Sequence, residues 1–192
     1  MKRFVTLIIV LVLTAVCSAG LQAQRFGAPE SMKGKLIVGG NIGAGYYGSS
    51  LSLAIAPQVG YRLTRNLEVG ARLGYQMNFH SNYYSAYGRY FNHVFSGALY
   101  ANYEIFAGIY AHIEDEEVGS FYSGPAITSS EWGWYNNALV GLGYRQYSGR
   151  SYAFTSLLYN LSWDYMDMYN NIYVSPFVIR VGFCFALDGK KR

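Results

Sequence analysis

One pattern constrains this 192-residue chain above all others: apolar and polar residues alternate strictly, in one segment after another. Leu67, Val69, Ala71, Leu73, Tyr75, Met77 and Phe79 interleave with Glu68, Gly70, Arg72, Gly74, Gln76 and Asn78. Successive side chains of a strand point to opposite faces, so this segment has one apolar wall and one polar wall. The segment before it matches. Leu51, Leu53, Ile55, Pro57, Val59, Tyr61 and Leu63 oppose Ser52, Ala54, Ala56, Gln58, Gly60 and Arg62, and Thr64-Arg65-Asn66 makes a tight turn between the two. No helical period interrupts the series.

Composition says which solvent the apolar wall meets. Charged residues are only 14% of the chain while aromatics are 18%, with 20 Tyr and 22 Gly. A soluble domain carries about 25% charged residues. Beyond residue 23 no segment approaches the roughly 20 continuous apolar residues of a spanning helix. A closed barrel is the other way to satisfy every backbone group in lipid.

The first residues have the order of an export signal. Lys2 and Arg3 are followed by the apolar run Phe4 to Val16 and then by small residues ending in Ala23. Cleavage is expected after Ala23, with Ala19 as the alternative. Thr14-Ala15-Val16 before Cys17 lacks the pattern of an acylation site. Residues 1–23 contain two basic and no acidic residues, so the 15 basic and 11 acidic residues of the chain become 13 and 11. The remaining charge is scattered, with no basic patch suited to nucleic acid. Cys184 is then the lone cysteine and forms no internal disulfide.

Eight antiparallel strands are predicted, at 35–47, 51–63, 67–79, 91–103, 105–114, 133–147, 151–165 and 172–185. The expected organisation is a signal segment over 1–23, a periplasmic stretch over 24–34, an up-and-down transmembrane β-barrel over 35–185 and a periplasmic tail over 186–192. The second, fourth and sixth connections are short. The third (80–90), fifth (115–132) and seventh (166–171) are longer, and only Gly48-Ser49 breaks the contrast. Alternating short turns and long loops mark an outer-membrane barrel. Aromatics fall where interface belts belong. Tyr46, Tyr47, Phe79, Phe91, Trp132, Trp134, Trp163 and Tyr173 lie towards the long loops. Tyr61, Tyr103, Tyr144 and Phe185 lie towards the short turns.

The polar wall carries Arg62, Glu68, Arg72, Gln76, Glu104, His112, Glu114, Arg145, Asp164 and Arg180. Both signs are present, and side chains fill the lumen of an eight-stranded barrel. A paired, plugged interior is therefore expected. Gly43 to Gly48 matches a dinucleotide-binding glycine pattern, but a strand follows where that site needs a helix. His80, His93 and His112 lack metal-ligand spacing. His112 and Glu114 share a strand face, with Ser96 and Ser156 in the same phase, but no nucleophile signature surrounds them. No catalytic, cofactor or metal residue is assigned. Glu114-Asp115-Glu116-Glu117 reads as the acidic opening of the fifth loop. The third connection, with Tyr83, Tyr84, Tyr87 and Arg89, has the Tyr, Ser, Asn and Gly mixture of adaptable binding loops.

Pro57-Gln58-Val59-Gly60-Tyr61-Arg62-Leu63 with Leu67-Glu68-Val69-Gly70 resembles the second hairpin of the bacterial outer-membrane β-barrel family, the OmpA/OmpX-like small barrels. Ser175-Pro176-Phe177 through Val181-Gly182-Phe183-Cys184-Phe185 resembles that family's closing strand, although residues 186–192 follow the final aromatic. The resemblance covers residues 35–185. It implies an outer-membrane location, contact with membrane lipids and lipopolysaccharide, and insertion by the barrel assembly machinery. The family implies no single activity, its members serving in membrane structure, adhesion or serum resistance; the expectation for this chain is a non-enzymatic structural or adhesion-like role as a monomer, with a host or cell-surface ligand as partner. The alternatives are an outer-membrane enzyme acting on lipid A or peptides, and a small-solute porin.

Overall fold

The computed structural model describes residues 29, 32–47, 50–81, 89–125, 127, 131–164, 173 and 175–187. They form eight strands: β1 (Leu36–Tyr47), β2 (Ser50–Arg62), β3 (Leu67–Ser81), β4 (Arg89–Phe106), β5 (Ile109–Ser123), β6 (Gly133–Ser148), β7 (Ser151–Asn160) and β8 (Phe177–Leu187). Each strand pairs antiparallel with its sequence neighbours, and β8 returns to β1 to close the barrel. This is the eight-stranded all-β fold that the alternation predicts.

The short turns have local causes. Thr64 Oγ1 accepts hydrogen bonds from the Asn66 and Leu67 amides at 3.2 and 2.9 Å, holding the β2–β3 reversal. The β4–β5 reversal is a two-residue turn in which Ala107 and Gly108 have φ of 48° and 84°. Two successive positive φ values match the twist of a hairpin. This turn lies beyond the Tyr103–Ile105 reversal expected from sequence. β5 also runs further than expected, to Ser123, because it stays paired with β4 and β6, and so it takes in Asp115 to Glu117, expected in a loop. The opposite correction applies to β7, which stops at Asn160 instead of continuing to 165. The Asn160 amide there donates to the Pro176 carbonyl at 2.8 Å, and Leu161 and Ser162 turn away. β8 accordingly starts at Phe177, and it includes Ala186 and Leu187, which were assigned to the tail.

Two irregularities mark the wall. Pro57 has no amide to donate, and the β2–β3 ladder skips Ala56 and Pro57. The β1–β8 joint is short: Leu36–Asn41 pairs with Gly182–Leu187, whereas β1 pairs with β2 along its whole length. At the short-turn end the lumen is closed by an apolar cluster of Met32, Ile37, Tyr152, Phe154, Cys184 and Ala186. The expected signal segment, Gly48-Ser49 and the tip of the third connection lie outside the described residues.

Candidate functional site

The polar wall converges on two ion-pair clusters stacked in the lumen. Glu68 centres the one near the short turns. It accepts from Arg62 at 2.7 Å, from Arg145 at 3.0 Å and from the Tyr152 hydroxyl at 3.0 Å. Arg62 also lies 3.8 Å from Glu104, which accepts from the Tyr147 hydroxyl. The Arg145 guanidinium sits between two rings, 4.5 Å from the centre of Tyr110 and 4.7 Å from that of Tyr152. Cation–π attraction adds to its ion pair there.

Glu114 and Glu116 centre the other cluster. Glu114 accepts from Arg72, from Arg180 at 2.5 Å and from His112 at 3.0 Å. Glu116 lies 3.4 Å from Arg72 and 3.5 Å from Arg180. Tyr173, from the connection before β8, donates to Glu116 at 2.5 Å and so caps the lumen. Burial pushes its phenol up, Arg180 opposes this and Glu116 reinforces it, so the hydroxyl stays protonated and donating. Tyr173 is thus not a belt residue as expected. Asn102 joins the two clusters through contacts of 3.4 Å to Glu68 and 2.6 Å to His112.

Among the described residues, the buried ionised side chains are four arginines and four glutamates, so the two signs balance. The expected lumen residues Arg62, Glu68, Arg72, Glu104, His112, Glu114, Arg145 and Arg180 all lie in this network. Gln76 faces the same interior but belongs to a separate group with Ser52 and Asn78. Asp164 is a correction. It is exposed, because β7 ends before it and the inward phase is lost. Arg89 is exposed at the first position of β4. Tyr83, Tyr84 and Tyr87 lie outside the described residues.

Sequence reasoning missed Glu116, Asn102, Tyr110, Tyr147 and Tyr152 as interior groups. Glu116 had a signal available, since it shares the two-residue phase of Glu114. The His112–Glu114 pair is present but is not arranged as a base. Glu114 already accepts from two arginines, and both His112 nitrogens are engaged. A general base needs a lone pair free to take a proton. Among the described residues, no three His, Cys, Asp or Glu side chains converge as metal ligands.

The outer wall is the reverse of the inner. Ile42, Leu73, Leu99, Leu142, Leu157 and Ile179 stand exposed around it. Tyr61, Tyr103 and Phe185 are exposed towards the short turns. Towards the other end His93, Phe95, Phe121, Trp132 and Trp134 form a continuous aromatic surface with neighbouring ring centres 4.8–6.0 Å apart. One patch interrupts it. Asp115 and Glu117 point outward from β5, and each accepts from the Asn136 amide at 2.9 Å. Asp115 lies six residues past the start of β5, about 15 Å above the turn for a tilted strand. In a bilayer that depth falls within an apolar band about 25 Å tall. Replacing both acids with Leu is expected to raise stability in phospholipid vesicles by about 1–2 kcal/mol, less than basic residues cost at such depths. Urea titration of the double variant checks this. A loss of stability would show that the patch stands in water.

No protein-family model matches the chain, and no curated protein matches it. Among solved structures, the chain is similar to the crystal structure of the N-terminal β-barrel domain of Pseudomonas aeruginosa OprF. The two are 14% identical, the match covers 81% of this chain and 98% of that chain, and the TM-score is 0.47.

Proposed function

We propose that this chain is an integral outer-membrane protein that is not a pore and serves a structural or surface-interaction role. The inversion of its two walls carries this reading. Large apolar side chains stand exposed around the outside, while paired arginines and glutamates fill the inside. Only lipid makes such an exterior favourable, and strands in lipid must form a closed sheet. Among the described residues the paired side chains fill the interior, so no open aqueous path between the ends is expected. Any partner then meets the outer connections, of which the Tyr-rich third is the best furnished for binding.

Fractionation, gel mobility and bilayer recording test the proposal together. The protein is expected in the outer-membrane fraction, with a mobility that changes on boiling. In planar bilayers it is expected to give no large, ohmic, long-lived channels. Recovery in the soluble periplasm with no heat-dependent shift would overturn the membrane assignment. Stable channels from the pure protein would overturn the plugged lumen.

A further inference from the structure

We propose that the outer mouth of the barrel binds an uncharged sugar residue of a surface glycan, on the inward face of β3, β4 and β5. The rim is uneven. β3, β4 and β5 have 15, 18 and 15 residues, whereas β7 and β8 have 10 and 11. Ser123 is fourteen residues past Ile109, so it stands about 35 Å above the β4–β5 turn, about 10 Å beyond an apolar band about 25 Å tall. The three long strands thus rise past the membrane as one curved wall, and their inward side chains leave the plugged lumen for water. Burial follows this change. Glu116 in the plug is 3% exposed, whereas Tyr122, six residues further along the same face of β5, is 46% exposed. Asn78, His80, Tyr90 and Asn92 are half-buried.

The chemistry of this face is uncharged. Beyond Arg72 and Glu116, the inward positions of β3 to β6 carry Gly, Gln, Asn, His, Tyr, Val and Ser, with no Asp, Glu, Lys or Arg. Arg89, at the start of β4, is in the outward phase. The ladder sets Ser52, Asn78, Asn92 and Tyr122 abreast on four neighbouring strands. The Ser52 hydroxyl and Gln76 Nε2 both donate to Asn78 Oδ1, which leaves Nδ2 as the donor of that amide. Asn92 Oδ1 has no hydrogen-bond partner among the described residues, and a turn about the soft terminal torsion of its side chain presents it to the mouth. A donor and an acceptor therefore stand on directly paired residues. Hydroxyls donate and accept at once, so the hydroxyls of one sugar meet both amides. Beside them His80 and Tyr90 stack at 4.7 Å, and Tyr90 lies 6.0 Å from Tyr122. Such rings cover the apolar C–H face of a sugar while keeping a polar edge. A phosphate or a sialic acid finds no cation on this face, and burying its charge unpaired is costly. The inference rests on the surface-interaction reading above and gives it a class of ligand.

The test uses the full barrel refolded in detergent and labelled at its amino terminus. On an array carrying neutral oligosaccharides and their sialylated forms, it is expected to bind neutral members and to gain nothing from sialylation. Binding to a desialylated glycoprotein is expected to be lost after periodate opens the sugar diols. Delipidated O-polysaccharide added in solution separates the two sources of such a sugar. Competition places it on a bacterial envelope, no competition places it on another cell, and both agree with the site. Asn92→Ala should weaken binding about tenfold, the value of one hydrogen bond, with the heat-dependent gel shift kept. If that variant does not fold, Tyr122→Ala at the exposed rim reads the same site. Replacing residues 82–88 with a Gly/Ser loop should leave binding in place. Binding lost with the loop but unchanged in Asn92→Ala and Tyr122→Ala overturns the site and leaves the surface-interaction role standing. No neutral sugar bound, or binding that survives periodate, overturns the ligand.

Discussion

Glu68→Gln is expected to lower the unfolding free energy of the barrel by about 3–5 kcal/mol, because it removes one partner from a buried charge network. Glu68 is fully buried and accepts from Arg62, Arg145, Tyr152 and Asn102. The substitution keeps the shape but removes the charge, so Arg62 retains only a distant carboxylate in Glu104, 3.8 Å away. Arg145 loses its only salt-bridge partner among the described residues. Neither guanidinium escapes by losing its proton. Urea titration in vesicles, read from the heat-dependent gel shift, measures the loss. Gln76→Ala on the same strand is the control, expected to cost about 1 kcal/mol for its hydrogen bonds. Equal losses for the two variants would contradict the central role of Glu68.

Overpacking at Gly143 is expected to cost about 3 kcal/mol when valine replaces it, the upper end for a strained interior. A Cβ built there would lie 2.3 Å from Tyr110 Cζ and 2.4 Å from its hydroxyl. The ring lies over β6 at Gly143 and is closely packed there. Tyr110 is 2% exposed, and the Arg145 guanidinium packs on its face. The same device recurs with Phe154 over Gly182 and Tyr100 over Gly70. Tyr110→Leu in the Gly143→Val background should recover part of the loss, giving a coupling of about 0.5–3 kcal/mol in a double-mutant cycle. Strictly additive losses would show that the ring and the glycine are not in contact.

The β2–β3 hairpin is legible in the sequence because each of its levels agrees: clean alternation, a Thr-Arg-Asn turn and charges confined to one wall. The lumen residues of that hairpin follow directly. The β4–β5 reversal is not legible. Tyr103-Glu104-Ile105-Phe106-Ala107-Gly108-Ile109 carries alternation almost unbroken across the turn, and Gly108 is the single turn-forming residue. With the turn placed early, the fifth strand is expected to stop at Glu114, which leaves Asp115 to Glu117 in a loop although Glu116 belongs inside. Asp164 fails for the converse reason, since alternation continues in the sequence past Asn160 after the strand has ended. The interior tyrosines break binary patterning. Tyr110 and Tyr152 sit on the polar wall, where they fill volume and offer a hydroxyl. Their neighbours, not their spacing, give them that place.

The short β1–β8 joint bears on the order of events during folding. Every other neighbouring pair is joined through a connection of 16 residues or fewer, so its closure entropy is smaller. The β1–β8 joint brings together the first and last strands, with Leu36 opposite Leu187. The cost of closing a loop grows as (3/2)RT ln n, about 0.6 kcal/mol for each doubling of length. The joint with the largest closing entropy is thus also one of the shortest ladders. On this entropy the β1–β8 seam is expected to close last, joining the first and last strands of the barrel.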